Sequence, residues 1–268
     1  MTTVTSASER SGYSHPRSLQ GRVAIVTGAA RGVGKGIATA LLQRGASVLL
    51  TDILDDVLEA TTAGFKEAGL QAHSLVADLR DTDTPQRIVD TASHTFGAIH
   101  ALVNNAVACN EPKAFGDISA ADYDLVYDTG PRVTFALMQA VHPHLLAAGG
   151  GAIVNIGSAA GTAGERNFGA YAGAKEAIRG MSKVAALEWG RDGIRVNVVC
   201  PLAETDGLKV LRDLDPKRYQ QVVSTTALKR IGDPATDIGP AVAFLIGDDA
   251  AYITGQTILL DGGAGSFR

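Results

Sequence analysis

The sequence predicts a single α/β domain built on a doubly wound, seven-stranded parallel sheet with helices on both faces. Two observations lead there. From Gly21 onward, short β-branched runs alternate with helical patterns, the order that makes a parallel sheet between two helical layers. Each run is almost wholly apolar, as expected of strands buried on both sides. Right-handed crossovers then put ligands at the carboxyl ends of the strands.

Taken in order, the first expected strand, 22–26, runs through Thr27-Gly28-Ala29-Ala30-Arg31-Gly32-Val33-Gly34 into a helix over 34–44. Glycine lets a backbone turn tightly and approach a pyrophosphate, and a helix N-terminus directs free N–H groups at it. The second strand, 47–51, ends at Asp52, a carboxylate placed to accept hydrogen bonds from a ribose and to repel the 2′-phosphate of NADP. NAD is therefore favoured over NADP, although the Arg31 guanidinium could instead hold that phosphate. After a helix over 55–68, the third strand, 73–77, leads into Asp78, which could accept from an adenine amine or cap the helix expected over 84–95. A strand over 101–105 and a long helix over 120–147 follow.

The fifth strand, 152–156, ends just before Ser158, and the next helix, 169–190, carries Tyr171 and Lys175 four residues apart on one face. An ammonium near a phenol favours phenolate, so Tyr171 could exchange a proton with a substrate oxygen that the Ser158 hydroxyl also holds. The sixth strand, 195–199, is followed by 202–227, a charged stretch containing Asp215-Pro216 that reads as a helical lid. Its charges Asp206, Lys209 and Arg212 could meet a polar substrate, but helix-surface charge is the commoner meaning. A helix over 235–247 and a strand over 257–261 complete the pattern.

Composition narrows the function. The chain has 268 residues with 24 Lys+Arg against 28 Asp+Glu, a net charge of −4, which argues against a nucleic-acid binder. It is 46% hydrophobic and 19% charged, and no apolar run approaches the roughly 18 residues of a membrane span. Cys109 and Cys200 match no metal spacing, and no metal site is expected. His142 and His144, without acidic or cysteine partners, and Trp189 read as surface, interface or core. Residues 1–18 lack a secretory signal and suggest a flexible tail, leaving 19–268 as the folded domain of a cytoplasmic protein.

The ordered set TGAARGVG, Asp52, Asp78, LVNNA at 102–106, IVNIGS ending in Ser158, YAGAK at 171–175, RVNVVCP at 195–201 and ITGQTILLDGG at 253–263 resembles the short-chain dehydrogenase/reductase family in its branch of about 250 residues. The resemblance spans residues 19–265. It implies a Rossmann fold and NAD(P)-dependent interconversion of a secondary alcohol and a ketone. Tyr171 would be the acid/base, Lys175 would hold the ribose and lower the tyrosine pKa, and Ser158 would orient the substrate oxygen. Cofactor contacts would come from Gly28, Arg31, Gly32, Val33, Gly34, Asp52, Ile53, Asp78, Leu79, Asn104, Asn105, Tyr171, Lys175, Pro201 and Thr205. The partner would be a small-molecule substrate, and the assembly a homotetramer or dimer paired through its long fourth and fifth helices. The turn Glu165-Arg166-Asn167-Phe168 would border the substrate or lie exposed.

Three positions depart from the family. Val107 replaces the glycine of Asn-Asn-Ala-Gly. Leu202 replaces the glycine of Pro-Gly, and the path from there to Thr205 is one residue shorter. Gly130 takes the place of a helix asparagine that supports a proton-relaying water, and Pro131 follows it. Because proline has no N–H, the carbonyl of Tyr127 is expected to be unpaired and free to hold that water. The departures also leave open a nucleotide-binding scaffold or sensor without turnover, or a non-redox cyclase, isomerase or dehydratase using Tyr171 as an acid.

Overall fold

The computed structural model describes residues 18–265. The tail expected over 1–18 therefore lies outside the described residues, except for Ser18. Seven parallel strands are present: β1 (Val23–Thr27), β2 (Ser47–Asp52), β3 (Ala72–Val76), β4 (Ala101–Asn104), β5 (Gly151–Ile156), β6 (Ile194–Pro201) and β7 (Thr257–Leu260). They form one sheet in the order β3-β2-β1-β4-β5-β6-β7. The order reverses between β1 and β4, so the crevice outside their carboxyl ends is where such a sheet takes its ligand.

Side-chain alternation along each strand divides the core between the two faces. On one face Ala24, Val26, Val48 and Leu50 pack with α1 (Gly32–Gln43), α2 (Asp55–Glu67) and α10 (Gly239–Ile246). On the other, Ile25, Leu49, Leu102 and Ile153 pack with α3 (Thr84–Phe96), α5 (Val133–Ala147) and α7 (Gly169–Trp189). Every residue of β1 and β4 is buried, which explains the near-continuous apolar runs.

The long helix expected over 120–147 is divided. α4 (Ala120–Tyr127) passes through a π-helical turn, Asp128–Arg132, into α5. Pro131 lies inside that turn. In an i→i+5 turn the carbonyl of Tyr127, the N-cap, is matched with the N–H of Arg132 rather than with the proline nitrogen. The expectation of an unpaired carbonyl is thus corrected, since the backbone widens by one residue to accommodate the proline.

Elements not expected from the sequence include α6 (Ala159–Ala163) and a second π turn, Pro234–Ile238, leading into α10. The 202–227 stretch folds into two short helices, α8 (Asp206–Leu214) and α9 (Pro216–Thr225), neither of which contains a buried residue. Asp215 ends the first and caps the second, its carboxylate accepting from the Arg218 N–H at 3.1 Å.

Candidate active site

The loop between β1 and α1 leaves no room for side chains. A Cβ on Gly34 would lie 2.1 Å from the Gly28 carbonyl oxygen, and one on Gly28, whose φ is +64°, would lie 2.9 Å from Asn105 Nδ2. No side chain caps α1 at Arg31, so the first-turn N–H groups remain available to an anion. The loop is braced from β4: Asn105 Nδ2 donates to the carbonyls of Thr27 and Gly28 at 2.9 and 3.1 Å. The Thr27 hydroxyl in turn accepts from the Asn105 and Ala106 N–H groups.

Beside this loop lies a cleft of about 480 Å³. Gly28, Arg31, Asp52, Ile53, Asp78 and Leu79 line it, together with Asn105 and Val107. Asp52 is fixed in place: Oδ2 accepts from the Ala30 N–H at 3.0 Å, and Oδ1 accepts from Ile53 and Leu54. Arg80 clamps Asp78 through Nε and Nη2 and holds that carboxyl below its usual range. The Arg31 guanidinium lies 2.9 Å from Asp206 at the start of α8.

Other expected cofactor residues sit at the edge of the cleft or away from it. Val33 packs against the core, and Gly32 adopts a φ of +56° in open space. Asn104 points its amide into the interior, donating to Asn155 Oδ1 at 2.8 Å. Asn155 continues the chain to Ser182 on α7. Pro201 ends β6 opposite Leu260. Leu202, which replaces a glycine, stays in ladder geometry, its N–H donating to Leu260 and its carbonyl accepting from Gly232. Thr205 caps α8, accepting from the Leu208 N–H at 3.3 Å.

Ser158 and Tyr171 meet at the carboxyl end of β5. Ser158 caps α6 by accepting from the Ala160 N–H, and its side chain lies near enough to the Tyr171 phenol to lower that group's pKa against the effect of burial. Lys175 is 2% exposed and donates to the Ile156 carbonyl at 2.7 Å. Its Nζ lies 5.5 Å from the centre of the Tyr171 ring. Burial pushes the Tyr171 phenol up to about 12, with Ser158 pulling the other way. Burial likewise pushes Lys175 down to about 8. Desolvation thus dominates at both groups, and the Lys175 ammonium donates to a backbone carbonyl.

Sequence reasoning missed that two of the departures are in contact. A Cβ on Gly130 would lie 3.4 Å from Val107 Cγ2 and 3.9 Å from the Ala174 methyl. Val107 also packs in a small cluster with Tyr127 and Tyr171. The bulk gained at 107 is thus accommodated where the 130 side chain is lost. The neighbouring Thr129 accepts from the Ala108 N–H at 2.9 Å and donates to the Leu125 carbonyl, tying the π turn to the loop after β4. Phe168 caps α7 and meets Tyr171 edge-on at 6.2 Å, while Glu165, Arg166 and Asn167 are exposed.

A family model described as "Enoyl-(Acyl carrier protein) reductase" matches residues 28–265. The chain belongs to the short-chain dehydrogenase/reductase family. Among its relatives are the 12alpha-hydroxysteroid dehydrogenase of a Clostridium species, 36% identical, with 92% of this chain and 98% of the relative covered. The cyclohexanol dehydrogenase of an Acinetobacter species is 34% identical, with coverage of 90% and 94%. A Beutenbergia cavernae chain solved with NADP bound at low occupancy has a TM-score of 0.86 and 31% identity, covering 93% of this chain and 99% of that one. As a member of the family, the chain is an NAD(P)-dependent oxidoreductase.

Among the described residues no helix is long and apolar enough to cross a membrane, and no cluster of three His, Cys, Asp or Glu forms a metal centre. A second cleft, of about 580 Å³, lies at the amino ends of the strands between Arg22, His100 and Arg195. Its cations are already engaged, Arg22 by Asp248 at 2.7 Å and Arg195 by the carbonyls that end α10.

Proposed function

We propose that the chain interconverts a secondary alcohol and a ketone using NAD, with Ser158, Tyr171 and Lys175 as its catalytic residues. The observation that carries this reading is the buried Lys175, held by the Ile156 carbonyl at the end of β5 with its Nζ 5.5 Å from the centre of the Tyr171 ring, in a chain whose glycine loop has a shape that rejects side chains. A bound nicotinamide would supply or accept the hydride. The protein's part is the proton. Tyr171, a phenol at neutral pH, gives its proton to a carbonyl oxygen in reduction and takes it back in oxidation. Ser158 holds the same oxygen and fixes its direction. Lys175, anchored to the Ile156 carbonyl, supplies a cation near the ring and would hold the ribose of a bound dinucleotide.

The residues around the cleft fit a dinucleotide. The N-terminus of α1 would take the pyrophosphate, Gly28 and Gly34 allow close approach, and the Asp52 carboxylate, fixed by backbone donors, would suit ribose hydroxyls and oppose a 2′-phosphate. Val107, Tyr127 and Phe168 make the surroundings of Tyr171 apolar and aromatic, which suits a substrate with a hydrocarbon body. The two dehydrogenases above act on ring alcohols by name, and cyclic secondary alcohols make the first panel. Initial rates with NAD and NADP test the proposal. Faster turnover of a ring alcohol with NAD supports it, and no turnover of any secondary alcohol with either dinucleotide refutes it.

We also propose that the chain is a homo-oligomer. Phe135 and Leu146 on α5, and Val184 and Leu187 on α7, are large apolar residues left exposed, a surface that suits a second copy.

A further inference from the structure

Two cations line the cleft, Arg31 and Arg80, and both are engaged by carboxylates. Arg80 is held by Asp78. Arg31, which shares the cleft with Asp52 and Ile53, reaches instead to Asp206, with Nη1 2.9 Å from Oδ2. Asp206 is the first residue of α8. Its position is built in, because Thr205 caps that helix and a helix N-terminus favours an acid in its first turn. Lys209 lies 3.5 Å from the other carboxylate oxygen.

We infer that Asp206 is a specificity-determining residue for the dinucleotide, acting from the substrate side. By occupying Arg31 it withholds from a 2′-phosphate the guanidinium nearest the glycine loop, and so reinforces the exclusion begun by Asp52. A phosphate would have to compete with a carboxylate for the same donors, and a plain ribose would not. The inference rests on the dinucleotide reading above. Asp206 works through Arg31 and is a positioning residue, so its signature is a change in the ratio of two affinities. A merely structural loss would weaken both affinities together.

The pair is exposed, at 61% and 44% for the two side chains, and such pairs shift equilibria by about two- to five-fold. Titration of the full chain with NADH and with NADPH, following nicotinamide fluorescence, reads that shift. Asp206→Asn should raise the affinity for NADPH relative to NADH by about two- to five-fold, and Asp206→Glu should keep the wild-type ratio. In an Arg31→Ala background, Asp206→Asn should move the ratio clearly less. A ratio unmoved by Asp206→Asn, or moved equally without Arg31, overturns the inference while NADH binding stands. Binding of neither dinucleotide by the wild-type chain overturns it together with the dinucleotide reading.

Discussion

Lys175 is a buried amine that donates to the Ile156 carbonyl, and its titration links the site to stability. Its folded pKa of about 8 lies below the ordinary 10.5, so the folded chain sheds this proton before the unfolded chain does. Between those values the unfolded state binds more protons, and this group's contribution to stability rises with pH. Melting temperatures of wild type and Lys175→Met, measured from pH 7 to 9.5, should show the wild type gaining on the variant as pH rises. Parallel curves would contradict the buried ammonium.

Tyr171, held as a phenol up to about 12, adds a kinetic expectation. Reduction should be flat from pH 6 to about 7.5, whereas oxidation should rise with pH because it needs the proton removed. At Gly130 the added methyl would meet Val107 at ordinary contact distance. Gly130→Ala should therefore stabilise the chain by about 0.5–1 kcal/mol through reduced backbone freedom, seen as a higher melting temperature. A drop would mean that the Val107 contact is tighter than its distance implies.

Among the elements, α4 has the most complete N-terminus. Ser119 and Asp122 form a reciprocal capping box, and Lys113 and Ser119 hold the Asp122 carboxyl down at about 2. Ser119→Ala should cost about 1 kcal/mol in chemical denaturation. That helix ends in the π turn, and the turn marks the limit of what a sequence pattern can disclose. Gly130-Pro131 signals a break in the helical pattern, yet whether the chain kinks, unwinds or widens depends on its neighbours Val107, Ala108 and Ala174. The seven strands were legible to within two residues because each is a short apolar run bounded by turn residues. The five-residue α6 was not, since Ala159–Ala163 has too few side chains to show a period.

Across the whole molecule, the site is assembled from segments far apart in the sequence. Those recognisable by motif, the glycine loop, Asp52, Ser158, Tyr171 and Lys175, gather at the carboxyl edge of the sheet. The contacts between motifs had no local signal. Arg31 with Asp206, and Val107 with Gly130, pair positions that only the folded topology brings together. Asn104, which has the look of a cofactor contact, turns its amide inward to Asn155 because its place in β4 directs that side chain into the core. The exposed apolar face of α5 and α7 makes a prediction at this scale. Light scattering coupled to size exclusion should find an oligomer, and Leu187→Glu, at a residue 84% exposed in one copy, should shift it toward smaller species. An unchanged mass would place the interface elsewhere.

The central claim is that the Tyr171 hydroxyl moves the proton of an NAD-linked alcohol–ketone interconversion. Its most direct test is the appearance of reduced nicotinamide from NAD and a ring secondary alcohol, comparing wild type with Tyr171→Phe. The variant should lose at least about 100-fold in kcat/KM while still binding NADH with near wild-type affinity. Turnover by Tyr171→Phe at the wild-type rate would contradict the account.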